Sequence, residues 1–369
     1  MEFGFINNLP ELKRIPTLRD TVHKITQYGE DNLYPQRIKQ VFLLSPIAKS
    51  CVALMASFTR GDGWQRNGDL VINEETGMTC NDLLELISED QSLYNGFAIH
   101  INSTGIGKVH NIEYIPFEDV RLGTKNTKGR VNDVRVCINW EGNDSSLPDN
   151  NLRIQRYELY EPTKAAGEAL TSGKGMVLYS TPRKNAYPLA AIDAIIEDCQ
   201  SNHELSMFTL GNITNGFLSM SVFKYPSGGD TDTEEEELSK KLNQLKGARN
   251  SNSVIVAAID EDSEMTGPLV EQIPANNNDS LFINSTINVR NSIIGSFAMP
   301  RALVGHTPEA SLFTASQLAD EYLYMNLRTK DLRNKIARIF NEQLGLDVGS
   351  IVPNQFADAT MQPTLNDMK

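Results

Sequence analysis

The residues whose types could do chemistry are few and scattered. Thr104-Gly-Ile-Gly-Lys108-Val109 has the look of a phosphate loop. A true one needs G-x-x-x-x-G-K-[ST], so that backbone amides wrap the phosphates and a hydroxyl holds magnesium. Here the glycines stand too close and Val109 occupies the hydroxyl position. A hairpin turn between two strands is the better reading. The histidines are His23, His100, His110, His203 and His306, and no two share ligand spacing on a helix. His100 and His110 could face each other across the hairpin, but two ligands do not make a metal site. There is no G-x-S-x-G elbow and no defensible Ser/His/Asp order. Cys51, Cys80, Cys137 and Cys199 form no C-x-x-C pair. Free thiols are therefore expected, with neither a disulfide framework nor zinc. The acidic run Glu234 to Glu237 reads as a solvated helix start, where negative charge meets the positive end of the helix dipole. No catalytic set, cofactor or metal is expected.

One basic cluster stands out: Arg328, Lys330, Arg333, Lys335 and Arg338. It reads either as the solvated face of an amphipathic helix or as a surface that meets a neighbouring subunit's acidic face or DNA. Arg328, Arg333 and Arg338 are the subunit-interface candidates. The chain as a whole has a net charge of -13. Tight DNA binding normally rests on a basic surface, because neutralised phosphates release counterions. This balance argues against a tight grip and leaves room for a surface that DNA slides past. No basic segment followed by a long apolar one opens the chain, so no signal peptide is expected. No stretch approaches the ~20 apolar residues of a membrane span.

The elements that must position these residues fall in four sections. Residues 1–182 read as α+β. A helix is predicted over Pro46 to Phe58 with Ser45 as cap, broken by Gly61-Asp-Gly-Trp64. A second is predicted from about Asn81 to Tyr94. Strands follow at Gly96 to Ile101, Val109 to Pro116, Val131 to Trp140 and Ile154 to Leu159. A long helix is then predicted from Tyr187-Pro188-Leu189, with proline in its first turn. It runs to Leu210 or beyond, roughly 25 residues or ~38 Å, and Asn215-Gly216 ends it. Next come a strand at Phe217 to Tyr225, a helix from Glu234 to about Lys246-Gly247, and a strand at Val254 to Ile259. A helix from Asp279 or Ser280 presents Ile283, Ile287 and Ile294 and stops at Pro300. A loop, Val304 to Thr314, leads to a last helix from Ala315 to Leu344. Its stripe of Leu318, Tyr322, Met325, Leu332, Ile336 and Ile339 has one gap, at Thr329. Gly345 stops it, and 349–352 is partly strand.

Four stretches in this order resemble the siphophage-like portal family of tailed bacteriophages, the head–tail connectors. They are Gly29-Glu-Asp-Asn32-Leu-Tyr-Pro35 with Ser45-Pro-Ile and Gly61-Asp-Gly63; Tyr187-Pro-Leu through Asn215-Gly216; a strand–helix–Gly247–strand insert; and Ile287-Asn-Val-Arg290-Asn-Ser-Ile-Ile-Gly-Ser-Phe297-Ala-Met-Pro300-Arg-Ala-Leu303-Val-Gly305. The resemblance spans about Gly29 to Leu344, and its last stretch is the most specific. It implies an α+β portal-type subunit: an α/β wing over 1–186, a first stem helix over 187–214, a clip over 215–276, and a second stem helix over 277–300. A tunnel loop would follow over 301–314, a wing helix over 315–345, and a tail or minimal crown over 346–369.

The resemblance further implies a ring of subunits, a dodecamer in the family's usual pattern, at one capsid vertex. It would pass double-stranded DNA transiently and without sequence preference. Its partners would be the large terminase subunit, a neck or adaptor protein, and the major capsid or scaffolding protein. It would assemble in the host cytoplasm and reside in the virion. His306, Thr307, Pro308, Glu309, Ser311 and Phe313 would line the tunnel. Phe223, Tyr225, Glu234, Glu237, Lys240 and Arg249 would carry clip contacts to motor and adaptor. The rival readings are another connector or adaptor ring, which such a length disfavours, and a nucleotide-handling enzyme, which the broken phosphate loop disfavours.

Overall fold

The computed structural model describes residues 19–20, 24–127, 129–140, 154–182, 186–214, 219–226, 252–259, 270–273, 279–305 and 315–356. In chain order the elements are β1 (Arg19–Asp20), β2 (Ile25–Thr26), α1 (Tyr34–Leu44), α2 (Pro46–Arg60), β3 (Val71–Asn73), β4 (Met78–Thr79), α3 (Cys80–Tyr94), β5 (Phe97–Ser103), β6 (Val109–Ile115), β7 (Val120–Leu122), β8 (Asp133–Val136), β9 (Gln155–Leu159), α4 (Ala165–Thr171) and β10 (Met176–Ser180). Then follow α5 (Ile196–Thr214), β11 (Ser219–Pro226), β12 (Asn252–Ile259), β13 (Val270–Ile273), α6 (Asp279–Ser296) and α7 (Ala315–Arg338), the last continued by a π-turn, Ile339–Gln343. Contacts divide the chain into two compact units: 1–196 with 293–369, and 197–292. Among the described residues no single helix is long and apolar enough to cross a membrane.

The first unit is built on a six-stranded sheet in the order β6-β5-β10-β9-β8-β7. Neighbours are antiparallel except β9 and β10, which run parallel. One core joins this sheet to α3 and to the C-terminal part of the chain. Leu83, Leu84 and Ile87 of α3 meet Phe97, Ile99 and Ile101 of β5 and Ile336, Phe340 and Leu344. Burying each such side chain contributes ~1.5–3 kcal/mol.

The helix ends explain themselves locally. The Ser45 hydroxyl accepts from the Ala48 N–H (3.3 Å) and Pro46 sits at the first helical position. Gly61, at φ +60°, ends α2, and a Cβ there would lie 2.0 Å from the Val352 carbonyl. That close approach is the C-terminal segment running antiparallel to 62–66: Asp62 N–H donates to Val352, and Val352 N–H to Gly63 (2.9 Å each). Helix α3 begins at Cys80, with Thr79 as its cap. The Thr79 hydroxyl accepts from Asp82 N–H (3.2 Å) and the Asp82 carboxylate from Thr79 N–H (2.9 Å), a reciprocal capping box. Those bonds hold the Asp82 carboxyl below its ordinary range.

The second unit contains α5 after Ile196, α6 as far as Ser292, and a three-stranded sheet ordered β12-β11-β13. Strands β11 and β12 pair in parallel through Ser219↔Asn252 to Pro226↔Ile259, and β13 pairs with β11 antiparallel. The Ser292 hydroxyl donates to the Asp198 carboxylate (2.6 Å), tying the two helices together at their body ends. The predicted helix from Glu234 to Lys246 lies outside the described residues.

Three expectations need correction. The long helix does not begin at Tyr187-Pro188. Residues 187–190 are irregular, Asp193–Ile195 form a 3-10 turn, and α5 starts at Ile196. Its 19 residues are ~28 Å long rather than ~38 Å. The apolar face named for α6 also divides: Ile294 is 2% exposed, whereas Ile283 is 58% exposed. Finally, the gap at Thr329 is no gap. Thr329 is fully buried, with its hydroxyl 3.2 Å from the Phe58 carbonyl and 2.9 Å from the Met325 carbonyl. Sequence patterning also passed over α1, β3, β4, β7, α4, β10 and β13, most of which are short.

Candidate functional site: the two junctions and the long C-terminal helix

The stretch that leads into α5 is held by three stacked tyrosines. Tyr28 stacks on Tyr187 with centroids 3.9 Å apart and on Tyr34 at 4.9 Å. Their hydroxyls reach the backbone of the connecting segment. Tyr28 donates to the Pro188 carbonyl (2.6 Å), Tyr34 donates to the Asp193 carboxylate (2.6 Å), and Tyr34 accepts from Ala190 N–H (3.1 Å). The Tyr187 hydroxyl donates to the Thr26 carbonyl and accepts from Leu122 N–H (2.7 Å). The Asn95 amide donates to the Leu189 carbonyl, and Ala191 N–H to the Leu93 carbonyl (2.8 Å each). With its groups committed to these partners, 187–191 cannot form helical bonds, which is why helix propensity loses there.

Arg121 sits beneath this stack and exposes none of its surface. Its guanidinium donates to the Asn32 carbonyl (2.7 Å) and side-chain oxygen (2.8 Å), to the Glu118 and Val120 carbonyls (2.7 and 3.0 Å), and to Gln36 (3.0 Å). It lies 5.0 Å from the Trp140 ring centroid and 5.8 Å from that of Tyr28. Every one of these acceptors is a neutral oxygen. Burial pushes the guanidinium below its ordinary range, and burial pushes the Tyr28 and Tyr187 phenols above theirs. Nothing in this arrangement pairs a nucleophile with a base. It is an anchor, which ties residues 26–36, strand β7 and the entrance to α5 into one node.

The exit from α6 is arranged differently. Ala298 N–H donates to the Gly295 carbonyl (2.8 Å) and Met299 N–H to the Ile294 carbonyl (3.3 Å). This is the double bond of a Schellman stop. Its left-handed position, φ +45°, is filled by Ala298 rather than glycine. The Tyr324 hydroxyl of α7 donates to the Ala298 carbonyl (3.2 Å). The helix thus ends at Ser296, before Pro300, by backbone geometry. The tunnel-loop candidates His306, Thr307, Pro308, Glu309, Ser311 and Phe313 lie outside the described residues.

On α7 the three arginine candidates part company. Arg333 is not a surface residue: it is 5% exposed. Its guanidinium donates to the Phe58 carbonyl (2.8 Å), the Asn326 carbonyl (2.7 Å) and the Thr329 hydroxyl. It caps the last turn of α2, whose carbonyls have no helical partner, and is unavailable to a neighbouring subunit. Burial holds it below its ordinary range. Arg328 and Arg338 are exposed. Of the clip candidates, Phe223 and Tyr225 fall on β11, opposite Val256 and Ala258 of β12. Glu234, Glu237, Lys240 and Arg249 lie outside the described residues.

His100 pairs in register with Glu113, not with His110, and its Nε2 lies 2.8 Å from the Lys174 carbonyl. All four cysteines are free and buried. No cluster of three metal-ligating side chains occurs among the described residues. Sequence reasoning missed Arg121, whose one signal was a charge inside the apolar triplet Val120-Arg121-Leu122. It also missed Asp90, a buried carboxyl that accepts from the Tyr114 hydroxyl (2.9 Å) and Phe117 N–H (3.1 Å). Burial pushes Asp90 up to about 7, against the opposing pull of those two donors.

No protein-family model matches the chain, and no curated protein sequence matches it. Solved structures do. A chain in the neck of an empty gene transfer agent particle, computed with C6 symmetry, aligns over 93% of this chain and 88% of its own, at 14% identity and TM-score 0.55. A chain in the neck of the native particle, computed with C12 symmetry, aligns over 90% and 87% at 13% identity and TM-score 0.53. An HK97-family phage portal protein from Corynebacterium diphtheriae aligns over 83% and 90% at 10% identity, with a TM-score of 0.49, below what a fold assignment needs. At such identities the two neck chains establish the fold: this chain has their α+β architecture along nearly its whole length. The resemblance is borne out at the level of the fold.

Proposed function

We propose that this chain is the subunit of a portal ring at one capsid vertex, a conduit for packaging and ejecting double-stranded DNA. The observation that carries the proposal is the end-to-end likeness to the gene transfer agent neck chains, one of whose assemblies is computed with twelvefold symmetry. The body plan supports it. Two helices flank a small sheet in a unit of their own, residues 197–292. Those helices leave apolar side chains in water: Met207 is 50% exposed, Leu210 55% and Ile283 58%. A subunit that joins copies of itself by cyclic packing supplies the missing cover.

On this reading α5 and α6 are the stem helices and the β11–β13 sheet with its neighbouring residues is the clip. The clip would dock the large terminase subunit during packaging and a neck adaptor afterwards, with Phe223, Tyr225, Glu234, Glu237, Lys240 and Arg249 as contacts. Residues 301–314 would line the channel, with His306, Thr307, Pro308, Glu309, Ser311 and Phe313 facing DNA. The capsid or scaffolding protein would hold the ring at its vertex in the virion. A net charge of -13 suits a passage in which DNA must move rather than stick. The role is structural rather than catalytic.

The test is direct. Native mass measurement of the purified chain should give a high-order oligomer, twelve subunits in the family's usual pattern, and negative-stain class averages should show a ring with a central hole. A monomer at micromolar concentration, with no ring on purified capsids, would overturn the proposal.

A further inference from the structure

Against the chain's net charge of -13, one corner of the first unit is basic. Two segments 97 positions apart, at Thr26 and Gly123, are joined there. Ile25 bridges Gly123, the Thr124 N–H donates to the Lys24 carbonyl (3.1 Å), and the Thr26 hydroxyl donates to the Gly123 carbonyl (3.1 Å). These bonds set Lys24 beside the turn between β7 and β8, Lys125-Asn-Thr-Lys-Gly-Arg130. Lys24, Lys125 and Arg130 are all exposed, and among the described residues none of the three is in an ion pair. Asn126 ties the turn. Its N–H donates to the Arg130 carbonyl (2.8 Å), its carbonyl accepts from Gly129 N–H (2.9 Å), and its side-chain oxygen accepts from Arg130 N–H (3.0 Å). The cations therefore stand on a fixed frame.

The carboxylates around this corner do not cancel its charge. Asp133, whose Oδ1 lies 1.9 Å from where a Cβ on Gly123 would sit, is 9% exposed. It accepts from both Arg135 (2.8 Å) and Arg156 (2.6 Å). One carboxylate against two guanidiniums leaves a surplus cation, and the Arg156 side chain is 63% exposed. Glu158, opposite Asp133 on β9, is exposed and offsets that surplus. Glu161 is paired with Lys164 (2.8 Å), and Arg19 and Asp20 of β1 bring one charge of each sign. Lys24, Lys125 and Arg130 remain as the net charge of the corner.

No large apolar side chain accompanies these cations. Ile25 and Val131, the two that the segments carry, are 0% and 5% exposed. A protein–protein contact is normally centred on apolar or aromatic side chains, whereas a phosphate backbone is held by cations and hydrogen-bond donors alone. Polar groups stand ready beside the cations, since Thr127 and Asn132 are exposed. Gly129, at φ +72°, has open space where a Cβ would sit, so a ligand can approach its backbone closely. We infer that this corner touches the phosphate backbone of double-stranded DNA, without sequence preference. The inference rests on the ring reading, which supplies the DNA, and adds a contact apart from residues 301–314. Three cations make a weak, salt-sensitive contact, which suits DNA that must keep moving.

Fluorescence anisotropy of the full-length chain with a labelled duplex of about 30 base pairs, from about 50 mM salt upward, tests this. Lys24→Ala, Lys125→Ala and Arg130→Ala together should weaken binding by about tenfold or more at the lowest salt. They should also lower the log–log salt slope by about three, one for each lost phosphate contact. Lys24→Arg, Lys125→Arg and Arg130→Lys together should bind like the parent. Lys49→Ala, Lys174→Ala and Lys330→Ala make the same change in net charge at exposed sites elsewhere. That set should stay within about twofold of the parent. Thermal midpoints should match throughout, because backbone, Thr26 and Asn126 fix the corner. No duplex binding by the parent at the lowest salt overturns the inference, as does an equal loss in the Lys49 set. Parent-like duplex binding by the first triple variant overturns it too; if that variant loses ring assembly instead, the corner meets an acidic protein surface. A monomeric parent whose duplex affinity still depends on these three residues removes the ring reading and supports the phosphate contact by itself.

Discussion

The chain leaves and rejoins its α/β body at two places, and the two are built on opposite plans. Entry to α5 depends on partners far away in sequence: the phenols of Tyr28 and Tyr34 grip residues 188–193, some 160 positions downstream. Exit from α6 is local, a two-bond stop within six residues, closed by an alanine in a left-handed conformation. The first junction cannot form until the body has folded around Arg121. The second is closed by the helix's own backbone, with one added bond from the Tyr324 hydroxyl. The entrance to α5 is therefore set by the core and the exit from α6 by the backbone.

The sharpest way to break this contrast is at Arg121. Arg121→Met should destabilise the chain by ~3 kcal/mol or more, because the Asn32, Glu118 and Val120 carbonyls keep their burial and lose their donor. Urea unfolding measures this. Unchanged stability would mean that the node does not hold the entrance. Arg333→Met removes the donor to the Phe58 and Asn326 carbonyls and should cost ~1–3 kcal/mol. Tyr187→Phe deletes one hydroxyl between Leu122 and Thr26, with an expected cost of ~1–2 kcal/mol and faster amide exchange at Leu122.

The exit junction should behave in the reverse sense. Ala298→Gly relieves the left-handed strain and should stabilise by up to ~1 kcal/mol, less the added freedom of the unfolded chain. A loss of stability there would show that the stop is not local. The pH dependence separates the body from both junctions. Asp90 is pushed up to about 7 and Asp119 to about 6, burial being the first cause in each. Between the ordinary carboxyl range and those values the folded state binds more protons than the unfolded one. Stability should therefore fall as pH rises from about 4 to about 7 and then level off. In Asp90→Asn the slope should flatten, as read from thermal midpoints in buffers across that range.

Much of the fold was legible because the signals were local. Ser45-Pro46 and Gly61 marked α2, the Thr104–Lys108 turn marked the β5–β6 hairpin, and the spacing along α7 marked its buried stripe. Each depends on groups within a few residues, where propensity and capping act without help from elsewhere. The failures are where tertiary partners outbid those preferences. Tyr187-Pro188-Leu189 carries a sound helix start and is not helical, because Tyr28, Tyr34 and Asn95 take its backbone groups. Thr329 reads as a flaw in a stripe and is a buried hydrogen-bonding residue.

The sequence by itself determined the α+β class, the free cysteines, the lack of a recognisable catalytic motif and the order of stretches that resembles a portal. These follow from composition, period and spacing, which are properties of the chain alone. Only the tertiary structure decided that Arg121 is a fully buried anchor, that Arg333 faces inward while Arg338 faces water, and that Asp90 is a carboxyl out of its ordinary range. A charge's role depends on the solvent and partners around it, and those come from residues tens to hundreds of positions away. No local pattern in the sequence encodes which of two arginines five residues apart will find a buried helix end.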